Sequence, residues 1–152
     1  MLPPLILLAL AALLLSPGLF VGPSLDPAVF VHVASELRNG EALYVGTWDH
    51  KPPGIFLLYA AAQAVLPFVD PWVVAWVLSV IATAATGWLV AWIGRRMGVT
   101  SGIALLAGSG AVIAMAQYLT ALGGGLTEPI ASVPLVAALA FAVAEGGVRR
   151  VV

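Results

Sequence analysis

The charges of this chain are few and gathered, and the stretches without them constrain its fold more than any other feature. Thirteen of its 152 residues are Asp, Glu, Lys or Arg, and none lies within 1–25, 71–94, 97–127 or 129–144. A helix that crosses a bilayer needs about 20 mostly apolar residues, with a range of roughly 17–25. The four gaps therefore predict membrane-spanning helices near Leu5–Phe20, Pro71–Ile93, Gly102–Ala121 and Pro129–Ala144, the first and last extending a little into their flanks. The expected fold class is all-α and integral to a membrane, with about four transmembrane helices.

Composition then excludes whole classes of function. Apolar residues make up 62% and charged residues 9%, with a mean hydropathy of +1.09. An ordinary soluble domain is about 45–50% apolar and about 25% charged, so a soluble domain and a disordered chain are both excluded. Six basic residues against seven acidic ones leave a net charge of −1. That offers no basic surface for a phosphate backbone, so nucleic acid is excluded as a partner. The absence of cysteine removes thiolate nucleophiles and cysteine metal sites. The N-terminal run lacks a basic leading segment, and Ser16-Pro17-Gly18 is not a small-x-small cleavage site, so it reads as a span rather than a signal peptide.

A fifth apolar segment, Ile55–Phe68, lies between Pro52-Pro53-Gly54 and Pro67 with Asp70-Pro71. At about 1.5 Å per residue it reaches only about 21 Å, short of a hydrocarbon core of about 30 Å. If it lies along the interface, the following spans deliver Arg95, Arg96, Arg149 and Arg150, four of the five arginines, to one side. The positive-inside rule makes that side the cytoplasm. If it crossed, both arginine pairs would be external. The reading is four spans, one juxtamembrane helix over 54–68, both termini cytoplasmic, and an external loop over 23–53.

That loop holds six of the thirteen charges. Asp26-Pro27 opens an amphipathic helix through Phe30, Val31, Val33, Ala34 and Leu37, stopped by Asn39-Gly40. Spacing alone favours Asp26 as the helix N-cap, with Pro27 at the first helical position, over a catalytic role. Tyr44 and Trp48 suit the headgroup interface. Trp48-Asp49-His50-Lys51-Pro52-Pro53-Gly54 then forms a rigid polar corner. Lys51 there either binds a phosphate, with Asp49 holding it, or snorkels to the headgroups. Glu128, in Gly123-Gly124-Gly125-Leu126-Thr127-Glu128-Pro129, lies at the outer end of a span. It reads as a cap or, because an ionisable group among apolar helices is costly, as part of a site. No HExxH, GxxxxGK[ST] or GxSxG motif is present. The Ala- and Gly-rich stretch Ala107–Ala116 permits close helix packing and carries no chemistry.

A first span, an outside Asp, a helix ending Leu37-Arg38-Asn39-Gly40, then Leu43-Tyr44 and the Asp49-His50-Lys51-Pro52-Pro53-Gly54 block together resemble the N-terminal part of the GT-C membrane glycosyltransferases. The nearest branch is the protein O-mannosyltransferase-like and lipid A aminoarabinose transferase-like one. Thr127-Glu128 after a glycine-rich turn fits the same pattern, and the resemblance runs from about Leu5 to Ala144. It implies inverting transfer of a sugar from a polyprenyl-phosphate donor, at the outer face of the cytoplasmic membrane, to a hydroxyl of a glycan, lipid or protein acceptor. Carried over, Asp26 is the general base, and Asp49, His50, Lys51 and Glu128 bind substrate, with Lys51 on the leaving lipid phosphate. Many relatives have Asp-Glu where this chain has Asp26-Pro27, so no cofactor is implied firmly and a divalent metal stays open. Relatives are several times longer, and the resemblance implies an N-terminal part of such an enzyme. The competing class is a small non-enzymatic multi-pass protein, a scaffold or transporter subunit, which gives no reason for Asp26, Asp49, Lys51 and Glu128 to cluster at one face.

Overall fold

A computed structural model describes residues 2–47, 51–121 and 127–145 of the chain. Seven helices account for most of them: α1 (Leu2–Leu15), α2 (Pro17–Val21), α3 (Leu25–Arg38), α4 (Pro53–Val65), α5 (Pro71–Arg96), α6 (Ser101–Ala121) and α7 (Thr127–Glu145). Among the described residues there is no strand, only an isolated bridge between Leu43 and Thr47.

Among the described residues three stretches are long and apolar enough to cross a membrane: Pro3–Val21, Pro71–Arg96 and Thr127–Glu145. α6 is apolar over Ser101–Gln117. Large apolar side chains stand exposed on these helices, among them Leu13, Phe20, Leu106, Leu135 and Phe141. Contiguous apolar surface on this scale is costly in water and ordinary against lipid. The apolar helices thus have the build of a membrane protein.

The first stretch is not one smooth helix. Pro17 has no N–H, so the turn it begins cannot bond back to Leu13. The Leu13 carbonyl instead accepts from the Ser16 N–H at 3.3 Å and the Ser16 Oγ at 2.8 Å. That closes α1 and lets Pro17 open α2 as its first residue. Pro134, by contrast, lies inside α7 without ending it.

α5 is the hub. Its buried positions include Val74, Ala75, Ser79, Val80, Thr83, Ala84, Gly87 and Ala91, and α1, α6 and α7 all pack along it. One core joins Leu7, Ala11 and Leu15 of α1, Val80 and Ala84 of α5, and Val112 and Ala116 of α6. α5 and α6 touch through backbone: a Cβ built on Gly108 would stand 2.5 Å from the Gly87 carbonyl oxygen. A second core lies at the start of α5, where Phe30, Val33 and Ala34 of α3 meet Ile55, Phe56 and Tyr59 of α4 and Ala75. Phe30 and Phe56 pack edge to face at 5.8 Å.

The ends of the bundle are distinct. Pro3, Arg95 and Ser101 line one hollow, so the starts of α1 and α6 meet the end of α5. At the other end the Trp76 Nε1 donates to the Leu15 carbonyl at 2.9 Å and the Trp72 Nε1 to the Gly18 carbonyl at 3.2 Å. The α3–α4 unit belongs to that second end. The helix expected over 54–68 runs Pro53–Val65, because Pro67 and Asp70-Pro71 stop it sooner than the apolar run suggests.

Candidate functional site

The same dipeptide, Asp-Pro, opens two helices and is used differently in each. Asp70 is the N-cap of α5, its Oδ1 accepting from the Trp72 N–H at 2.8 Å and the Val73 N–H at 3.3 Å. Asp26 is the second residue of α3, and the N-cap position falls to Ser24, which is extended (φ −70, ψ 177) and bonds only through its carbonyl, from the Ala28 N–H at 3.1 Å. The expectation that Asp26 caps α3 is therefore corrected. Pro is tolerated in the first turn because those N–H groups have no helical partner, so the chain starts its helix before Asp26 instead of at it. The Asp26 carboxylate stands exposed in the first turn, favoured by the helix dipole and spent on no cap.

α4 is clamped in place by buried polar groups. Gln63 is buried; its Oε1 accepts from the Ser35 Oγ at 3.1 Å and its Nε2 donates to the Val31 carbonyl at 3.4 Å. Tyr59 is buried beside Ser79, and burial holds its phenol well above the usual range while the Ser79 hydrogen bond pulls the other way. These bonds tie α4 to α3 on one side and α5 on the other.

Lys51 precedes α4 at a half-buried position. Its carbonyl accepts from the Tyr44 hydroxyl at 2.7 Å. Tyr44 has φ +65, a left-handed conformation that is uncommon for a bulky residue and costs on the order of 1–3 kcal/mol. Its own N–H donates to the Thr47 carbonyl at 2.6 Å. The strained tyrosine thus closes the 44–47 turn and ties it to the Pro-Pro corner, a positioning role that nothing in its sequence context reveals.

A cleft of about 450 Å³ opens between the start of α4 and the start of α7. Lys51 and Thr127 are its polar lining; Ile55, Ile130 and Pro134 are among its apolar walls. Glu128 adjoins it, exposed, with an Oε2 that accepts from the Thr127 Oγ1 at 3.3 Å. It lies in the first turn of α7, one residue inside the helix. Two residues beyond Ile130, Ser132 reaches the Thr86 hydroxyl at 2.8 Å and donates to the Pro129 carbonyl at 2.7 Å, so α7 begins beside the middle of α5.

Of the expected site residues, Lys51 lines the cleft, and Glu128 does not, although its neighbour Thr127 does. Asp26 does not line the cleft. Asp49 and His50 lie outside the described residues. Among the described residues no three His, Cys, Asp or Glu side chains form a metal-binding group. Chemically, the cleft pairs one cationic lip, suited to a phosphate as a point charge, with an apolar wall suited to hydrocarbon.

Comparison with protein-family models, with curated proteins and with solved structures finds no match. The fold defines a class alone: among the described residues, helices without strands, with three apolar helical stretches long enough to cross a membrane.

Proposed function

We propose that the chain forms the donor-lipid side of a GT-C-like glycosyltransferase, moving a sugar from a polyprenyl phosphate to an acceptor hydroxyl at the outer face of the cytoplasmic membrane. The observation that carries this reading is the cleft, whose cationic lip at Lys51 and apolar wall at Ile55, Ile130 and Pro134 match a phosphate-headed polyprenyl chain. Asp26 adds to it, because an exposed carboxylate spent on no cap is available as a base.

The topology that serves this function has four spans, with α6 included: over its 21 residues it extends about 31 Å. α4, with 13 residues, extends only about 20 Å and lies as a juxtamembrane helix beside α3. Arg95 and Arg96 then face the cytoplasm.

In the reaction the acceptor oxygen attacks the anomeric carbon from the face opposite the phosphate. The bond from that carbon to the phosphate oxygen breaks, and the configuration inverts. Asp26 takes the acceptor's proton as attack proceeds. Lys51 offsets the charge developing on the departing lipid phosphate. Glu128 accepts a hydrogen bond from a sugar or acceptor hydroxyl. Because Asp26 stands outside the cleft, the donor's sugar projects out of it, so that the anomeric carbon meets an acceptor hydroxyl held within hydrogen-bonding reach of Asp26.

The test is transfer from a polyprenyl-phosphate sugar in membranes containing the protein with whatever follows Val152 in its reading frame. Asp26→Asn should leave folding intact, since no described residue hydrogen-bonds to that carboxylate, and should lower the rate by roughly 10²–10⁴-fold, the usual contribution of a general base. Unchanged transfer by Asp26→Asn would remove Asp26 from the mechanism.

A further inference from the structure

We propose that the arginine end of α5 holds one anionic phospholipid of the surrounding bilayer, its phosphate on Arg95 and Arg96 and one acyl chain laid between α1 and α5. Three hollows adjoin there. The outermost, about 320 Å³, is lined by Trp92, Arg95 and Arg96. A narrow neck of about 50 Å³ shares Trp92 and Arg95 with it and leads past Pro3 and Ala91 to Trp88. Trp88 also borders the third hollow, about 230 Å³, with Leu5, Leu8, Ile81 and Ala85 as walls.

Length and charge choose the occupant. From Ile81 to Arg95 the groove follows α5 for about 21 Å at about 1.5 Å per residue. Half of a hydrocarbon core of about 30 Å is about 15 Å, so the groove reaches from headgroup depth to the bilayer centre, the length of one leaflet's tail. No acidic side chain lines any of the three hollows, and among the described residues no carboxylate pairs with Arg95 or Arg96. The Arg96 guanidinium lies over the Trp92 ring, 4.8 Å from its centroid, a cation–π contact that orders it at the mouth. Arginine presents a planar fork of donors that fits phosphate oxygens, and basic pockets between membrane helices are general binding places for anionic headgroups. A free phosphate would leave the two apolar hollows uncovered. A zwitterionic lipid would fill the groove but bring no net charge to the two arginines.

The inference is independent of the transferase reading. The protein is equilibrated with vesicles of equal parts phosphatidylcholine and phosphatidylglycerol, extracted in mild detergent, and weighed by native mass spectrometry. The wild-type chain should retain one phosphatidylglycerol with a preference of about ten-fold or more, as expected for two arginines near an anionic group. Arg95→Gln with Arg96→Gln, both exposed, should abolish the preference, whereas Arg38→Gln, at an exposed arginine in the last turn of α3, should leave it. Ala85→Phe, which keeps both charges and fills the apolar end, should lower retention several-fold. Equal retention by the wild type and the double glutamine variant, or full retention by Ala85→Phe, would overturn the proposal, the latter by reducing it to attraction of lipid by surface charge.

Discussion

Tyr59 is the largest side chain wholly withdrawn from solvent in the described residues, with a relative exposure of 1%. Its hydroxyl shares the α4–α5 boundary with Ser79, and burial favours the neutral phenol. In the unfolded chain a tyrosine loses its proton near pH 10, while the folded state keeps it to higher pH. Above about pH 10 the unfolded state binds fewer protons than the folded one, so stability falls as pH rises. Thermal unfolding in detergent should show this alkaline loss in the wild type and a weaker loss in Tyr59→Phe; equal alkaline slopes would show that the phenol is not held neutral. None of this was legible in the sequence, where Tyr59 is one apolar residue in an apolar run. The aspartates teach the same lesson from the other side. Asp26-Pro27 and Asp70-Pro71 are identical as text, yet only Asp70 caps, because which residue turns extended before a helix is decided by the chain on both sides. Lys51 beside Thr127 was legible only as two polar residues on one face, since no local pattern records a meeting across 76 positions.

At the scale of elements, the charge gaps locate α1 with α2, α5, α6 and α7 to within a few residues, because an uninterrupted apolar run is what a hydrocarbon core demands of a helix. Breaks inside those runs are less legible. Pro17 divides a helix where Ser16 supplies the closing bonds, while Pro134 stays inside one whose neighbouring turn is fastened to Thr86 through Ser132. Small residues are ambiguous in the same way. The sequence marks α6 as rich in Ala and Gly without saying which glycine touches a neighbour. The crossing is at Gly108, where a Cβ would stand 2.5 Å from the Gly87 carbonyl and 3.0 Å from the Ala91 Cβ, whereas Gly110 has nothing within 4 Å. Backbone this close admits no side chain without parting the helices. Gly108→Val should therefore destabilise the chain by about 1–3 kcal/mol or more, as overpacking does, and Gly110→Val by well under that. Melting of the two variants in the same detergent checks it, and equal losses would mean that α5 and α6 do not cross there.

For the whole molecule, the decisive feature is polarity from end to end. The α3–α4 unit packs at the start of α5, against Ala75, Trp72 and Leu78, and Arg95 and Arg96 close its other end. The 26 residues of α5 separate those ends by about 39 Å, enough to cross a hydrocarbon core of about 30 Å. The catalytic proposal needs the first end outside, and the positive-inside rule puts the second in the cytoplasm. The chain has no cysteine, so single cysteines report on these ends without background. Val45→Cys lies in the turn before Lys51, at a residue 86% exposed, and Thr100→Cys lies exposed just beyond the arginine pair; Gly98, at φ +88, is avoided because a side chain there would be strained. In intact cells an impermeant thiol reagent should label Val45→Cys and leave Thr100→Cys untouched until the membrane is opened. Labelling of Thr100→Cys alone, or of both alike, would place the arginine end outside and contradict the account.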